Sequence, residues 1–283
     1  MTNNGINKPT LPVNTERMPV LFVGHGTPMN AIEDNAFAQG WRRVGASLPK
    51  PRAILCISAH WETRGTCVTA MTNPRTIHDF GGFPQELFAV QYPAPGSLWL
   101  AQKARAALTS TDVGMDQEWG IDHGAWSVLK HMCPKADVPV VQLSLDYAKS
   151  APEHYALAKE LEPLRQQGVL IIASGNMVHN LGRIQLKGDS DDFNQPFGLD
   201  WAIEANDLFK RLINEGRHAE LSDYLSLGRA VQLAVPTPEH FLPLLYILAL
   251  KQEQEAITYF NDQPVAGSLT MTSLIIGSKS ANA

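Results

Sequence analysis

Nine histidines are spread over the 283 residues, and five of them stand where they could do chemistry. His25 lies in Gly24-His25-Gly26, just after the apolar run 19–23. His60 follows the run 53–58 in Ser58-Ala59-His60-Trp61. His179 follows the run 169–173 in Ser174-Gly175-Asn176-Met177-Val178-His179-Asn180. Each run reads as a buried strand, so three strands each end in an imidazole. In an open parallel sheet the carboxyl ends of the strands line the crevice where ligands bind. Three imidazoles delivered to that edge are the donor set of a divalent metal site. His240, in Pro236-Thr237-Pro238-Glu239-His240, stands at the start of a helix behind prolines that stiffen the loop. His123, in Gly120-Ile121-Asp122-His123-Gly124-Ala125-Trp126, has an aspartate and a glycine beside it and suits proton transfer near neutrality. A lone histidine after a strand is more often a structural residue than a ligand; the coincidence of His25, His60 and His179 carries the argument. His131, His154 and His218 sit in helical, polar surroundings and read as surface residues, while His78 fits either reading.

The elements that must position these side chains alternate along the chain. Strands are expected at 19–23, 53–58, 66–71, 139–144, 169–173 and 269–276. Helices are expected at 35–47, 97–108, 125–132, 152–167 (ended by Gly168), within 195–215, and at 239–250. Strands apolar on both faces and separated by helices imply an α/β fold. The expectation is a single domain over 18–277 with a central, mostly parallel sheet flanked by helices, its metal site at the C-terminal strand ends. Residues 1–17 and 278–283 read as loose termini.

Bulk properties narrow the function classes. Hydrophobic residues make up 44% and charged residues 18%, enough for a large core and against disorder. The net charge is −5 with no basic block, which argues against a nucleic-acid partner. Three cysteines, an odd number without a Cys-x-x-Cys pair, favour free thiols in a reducing, cytoplasmic setting. The N-terminal residues lack an apolar signal core, and the longest apolar run, 241–250, contains Pro243 and is too short to span a bilayer. No Gly-x-Gly-x-x-Gly, phosphate loop or His-Glu-x-x-His occurs, and Ala173-Ser174-Gly175 lacks the first glycine of a nucleophile elbow.

Seven separated motifs, in order from about residue 19 to 276, carry a family resemblance. Besides those quoted around His25 (continuing Thr27-Pro28-Met29-Asn30), His60, His123, His179 and His240, they are Ile77-His78-Asp79-Phe80-Gly81-Gly82-Phe83-Pro84 and Tyr92-Pro93-Ala94-Pro95-Gly96. Together they resemble the class III extradiol ring-cleavage dioxygenases, and most of all the 4,5-DOPA dioxygenase branch. The resemblance implies a non-haem Fe(II) enzyme that opens a small aromatic diol with O₂, with L-DOPA as substrate and a semialdehyde as product. It implies an α/β fold, in agreement with the pattern above, and a monomer or small homo-oligomer is expected.

Carried over residue by residue, the resemblance makes His25 and His60 metal ligands. Many relatives complete such a site with a glutamate; here both Glu239 and His240 are on offer, and His240 is favoured, with Glu239 as its partner. His179 falls where relatives place a catalytic base and is also a candidate ligand; His123 is the other candidate for proton transfer. An all-histidine set would accept Zn(II) as readily as iron, so a zinc hydrolase using the same histidines is the competing reading. Trp61, Phe80, Phe83, Tyr92 and Trp126 are candidate apolar walls, Arg64 and Arg75 are candidates to meet a substrate carboxylate, and no substrate-binding residue is assigned.

Overall fold

The computed structural model describes residues 17–188 and 192–278. Among the described residues there are ten strands: β1 (Val20–Gly24), β2 (Ala53–Thr63), β3 (Thr66–Thr69), β4 (Val113–Asp116), β5 (Val140–Asp146), β6 (Val169–Gly175), β7 (Ala256–Phe260), β8 (Pro264–Val265), β9 (Leu269–Thr270) and β10 (Ser273–Gly277). Eight of them form one sheet in the order β4-β3-β5-β2-β6-β1-β10-β7, and β8 with β9 makes a separate ribbon. The central strands β5, β2, β6 and β1 run parallel, while β10 and β7 add antiparallel at one edge. This is the expected mostly parallel α/β sheet.

Because successive side chains of a strand point to opposite faces, each central strand feeds two cores. Val20, Phe22, Leu55 and Ile57 belong to one, with residues of the helices Leu98–Ala107, Ala151–Lys159, Asp200–Asn214 and Leu242–Ala249. Leu21, Val23, Ile54 and Cys56 belong to the other, with the helices Ala36–Ser47 and His123–Met132. Both faces are therefore covered, which is why the strands are apolar throughout.

Local signals set the helix boundaries. The Asn35 side chain accepts from the amides of Phe37 and Ala38, and the Ser97 hydroxyl accepts from that of Leu100. Both satisfy amide donors that have no partner within the helix. The helix expected over 152–167 is interrupted: it runs Ala151–Lys159 and resumes as Glu162–Arg165. Pro163 has no amide hydrogen to bond back into the preceding turn. The strand expected over 269–276 is likewise two, β9 and β10, divided where the Met271 amide turns away to the Gln263 carbonyl.

Three surface assignments are corrected. His154 is fully buried, with Nδ1 2.9 Å from the Tyr246 hydroxyl and Nε2 3.2 Å from the Asp146 carbonyl. His131 is buried, with Nε2 2.8 Å from the Asn30 carbonyl, and His218 is half-buried against the Tyr155 hydroxyl at 2.9 Å. In each case a neighbouring element covers the helix face that local polarity suggested was open. The expected loose ends fall almost wholly outside the described residues; Arg17, one of their two described members, forms an ion pair with Glu162 at 2.9 Å.

Candidate metal centre

Five histidines converge at the carboxyl ends of the central strands. β1 ends at Gly24, so His25 is the next residue, and its amide donates to the Gly175 carbonyl at the end of β6 at 3.2 Å. Gly26 then turns the chain with φ +61°, a conformation glycine adopts without strain. His60 lies inside β2, which runs on to Thr63 past the end expected at Ser58. The pairing with β5 shifts between Ile57 and Glu62, so the intervening residues form a bulge, and a bulge re-aims the side chains it carries. His179 follows β6 and is held by its amide on the Ala234 carbonyl at 2.9 Å. His240 sits in the turn before Leu242–Ala249, and its carbonyl accepts the Asn176 amide at 2.9 Å. His123 opens the helix His123–Met132, whose N-cap is Asp122.

The rings lie close together. His25 Nε2 and His60 Nε2 are 3.1 Å apart. The His240 ring centroid is 5.3 Å from that of His25 and 5.1 Å from that of His60. His179 stacks on His240 at 3.5 Å, and His123 lies 3.9 Å from His60. Nitrogen atoms of His25, His60 and His123 lie within 4.8 Å of one another, as do ligand atoms of His179, Glu239 and His240.

What these nitrogens can do is set by their partners. His25 Nδ1 is 3.0 Å from the Ser174 hydroxyl, which itself donates to the Gly124 carbonyl at 2.5 Å. The hydroxyl therefore accepts from Nδ1–H, and Nε2 of His25 carries a lone pair. His60 Nδ1 is 3.3 Å from the Asp79 carboxylate, an acceptor that favours a proton on Nδ1. With protons on both Nδ1 atoms, two lone pairs face each other across 3.1 Å. A shared cation resolves that conflict, because two imidazoles bound at about 2.0–2.1 Å bring their nitrogens to roughly 3 Å. His240 is prepared similarly: its Nδ1 is 3.1 Å from Glu239 Oε1, which also accepts from the Thr237 hydroxyl at 2.9 Å. Such outer partners orient metal-bound histidines and raise their basicity.

Burial completes the preparation. Desolvation first, and the neighbouring histidines second, hold His25 and His240 well below the ordinary imidazole range. Desolvation likewise brings His60 down to about 3 and His179 down to about 4. These four rings are neutral at physiological pH, the state a metal ligand needs. Asp79 stays below the usual carboxylate range: its burial pushes upward, but the hydrogen bond and charge of His123 and the charge of His60 outweigh it. Asp122 is raised by burial and by the charge of Asp79.

The Phe80 ring lies 5.4 Å from that of His123 in a T-shaped arrangement, with the Phe83 and Trp126 rings 5.4 and 6.1 Å from it. Tyr92 donates its hydroxyl to the Cys133 carbonyl, and Trp61 stacks on Trp119 at 5.7 Å. Arg64 is exposed, as is Arg75, whose Nε donates to the Trp119 carbonyl at 3.0 Å. His78 is a structural residue, its Nε2 2.9 Å from the Val90 carbonyl. Sequence reasoning missed Ser174 and Asp79, although both stand inside motifs it had singled out. Short polar residues next to the histidines were the available signal.

Fold and site together define an α/β protein with a buried histidine cluster that could hold a metal ion. Over residues 19–269 the chain matches the catalytic LigB subunit of aromatic ring-opening dioxygenase, and it belongs to that family of extradiol dioxygenases. It is 46% identical over 269 residues to a 4,5-DOPA dioxygenase extradiol of Escherichia coli K12, covering 94% of this chain and 97% of that one. A protein of the same name from Beta vulgaris is 39% identical over 230 residues, covering 79% and 83%. The crystal structure of an uncharacterized protein from Escherichia coli K12 superposes with a TM-score of 0.75 at 41% identity, covering 92% of this chain and all of that one.

Proposed function

We propose that this protein opens the ring of L-DOPA, or of a closely related small catechol, with O₂ to give a semialdehyde of the 4,5-seco-DOPA type. The reading assigns His25, His60 and His240 as ligands of a divalent ion, Fe(II) in the active enzyme, with Zn(II) able to occupy the same nitrogens. The observation that carries it is the 3.1 Å separation of the Nε2 atoms of His25 and His60, whose Nδ1 atoms face the Ser174 hydroxyl and the Asp79 carboxylate. The names of the relatives support the choice of catechol.

When bound, the ion supplies the binding of the diol oxygens and the electronic route between ring and O₂. The chain supplies the rest. His179, held neutral by burial, is free to accept a phenolic proton on a ring nitrogen. His123, at the helix start with Asp79 behind it, holds or returns a second proton. The Phe80 ring, 5.4 Å from that of His123, gives the reacting ring an apolar neighbour. Among the described residues no helix is long and apolar enough to cross a membrane, and the cysteines Cys56, Cys67 and Cys133 are free, which supports a place in the reducing cytoplasm.

The test is anaerobic loading with Fe(II), then an oxygen electrode and absorbance screen across catechols with and without an aminoalkyl carboxylate. The proposal expects O₂ uptake and a coloured product with L-DOPA or a near analogue. Turnover of an ester or amide without O₂ uptake would favour a zinc hydrolase instead.

A further inference from the structure

One carboxylate serves two histidines with different tasks. Asp79 Oδ2 lies 3.3 Å from His60 Nδ1, and its Oδ1 lies 2.9 Å from His123 Nδ1 and 3.0 Å from the His123 amide. The Asp79 side chain is only 17% exposed, and no lysine or arginine pairs with it among the described residues. Its neighbours fix the same pair of elements a second time. The Ser58 hydroxyl, two residues before His60, donates to Asp122 Oδ1 at 2.7 Å, and Asp122 immediately precedes His123. Asp122 is itself held by the Gln142 side-chain amide at 2.7 Å. The bulge of β2 and the start of the helix His123–Met132 are therefore joined twice, through Asp79 and through the Ser58–Asp122 hydrogen bond.

We infer that Asp79 is a positioning residue that places a proton on Nδ1 of both His60 and His123, so that one presents Nε2 to the metal and the other presents Nε2 to substrate. The inference rests on the metal centre proposed above. The physical reason is the acceptor count. An ionised carboxylate offers lone pairs on both oxygens, so each oxygen has the capacity to accept one ring N–H, Oδ1 beside the His123 amide it already holds. An asparagine in its place keeps one acceptor oxygen and turns a donor NH₂ toward the other ring, so it holds at most one of the two tautomers. His60 and His123, 3.9 Å apart by centroid, would then compete for the single acceptor.

The experiment compares the parent with Asp79→Asn. Histidine tautomers are read in the Zn(II)-loaded, ¹⁵N-labelled protein by long-range ¹H–¹⁵N correlation, and Co(II) affinity is measured by competition with a chelator. The parent is expected to show His123 as the Nδ1–H tautomer. Asp79→Asn is expected to lose that form in His123 or to bind Co(II) about 10–100-fold more weakly, the usual cost of removing an outer partner of a metal ligand. Finding His123 as the Nε2–H tautomer in the parent overturns the inference without recourse to any variant. So does a variant with the parental tautomer and the parental affinity. A parent that binds no Co(II) removes the metal centre itself, and the inference with it.

Discussion

The carbonyl of His240 occupies the space in which any residue other than glycine at position 175 would carry its side chain. Gly175 is the last residue of β6, and the next amide, Asn176, bonds to that same carbonyl at 2.9 Å. The loop 236–240 is thus docked on the end of a central strand, and the direction of the His240 ring follows from a missing methyl group. Gly175→Ala should cost about 1–3 kcal/mol of stability through overpacking, and it should weaken metal binding by tenfold or more as His240 is pushed aside. Urea unfolding and chelator competition read the two effects separately; a variant with parental affinity would show that His240 is not docked for a ligand's sake.

The roles divide between holding metal and moving protons. His25→Ala and His60→Ala should each lose stoichiometric metal, and with it all turnover. His123→Ala should keep its metal and lose about 10²–10⁴ in kcat, the usual span for a general acid or base. Metal analysis beside steady-state rates distinguishes them. Parental turnover by His123→Ala would remove its proton-transfer role.

Glu239 supports His240 from behind, through the 3.1 Å contact to Nδ1. Glu239→Gln should weaken metal affinity by about 10–100-fold. Thr237→Val, which removes only the hydroxyl on Glu239, should have a smaller effect. Were Glu239 itself a ligand, its loss would instead match that of His25, which a Zn(II) titration would reveal.

His154 makes stability depend on pH at a place remote from the metal ligands. Its ring is bonded on both nitrogens inside the core, and burial pulls it from the ordinary 6.5 down to about 4. Between those values the unfolded chain binds more protons than the folded one, so stability is fully present above pH 6.5 and is lost as pH falls toward 4. At about 1.4 kcal/mol per pH unit the loss approaches roughly 3 kcal/mol. Urea midpoints measured from pH 7.5 to 4.5 should fall less steeply in His154→Gln than in the parent; equal slopes would mean that the ring titrates normally in the fold.

The sequence carried much of this in the spacing of His25, His60 and His179 after apolar runs, since a central parallel strand is legible from its own composition. What it hid were relationships made by distant segments. His60 reads as following a strand, because the bulge that returns it to β2 exists only in the pairing with β5. Asp79 has no periodicity to mark it, and its importance appears once the loop carrying it folds back on His60 and His123. His154 has polar neighbours in sequence, yet it is covered by the helix Leu242–Ala249 through Tyr246. The short strand β4, with Gly114 at its centre, carries too little apolar pattern to stand out.

X-ray absorption on the Zn(II)-loaded protein tests the central claim most directly, because it counts imidazoles around the ion. The account predicts a shell of nitrogen donors at about 2.0–2.1 Å with the outer-ring scattering of three histidines, reduced by one in His240→Ala. A shell dominated by oxygen, or one unchanged by the loss of His25, His60 or His240, would contradict it.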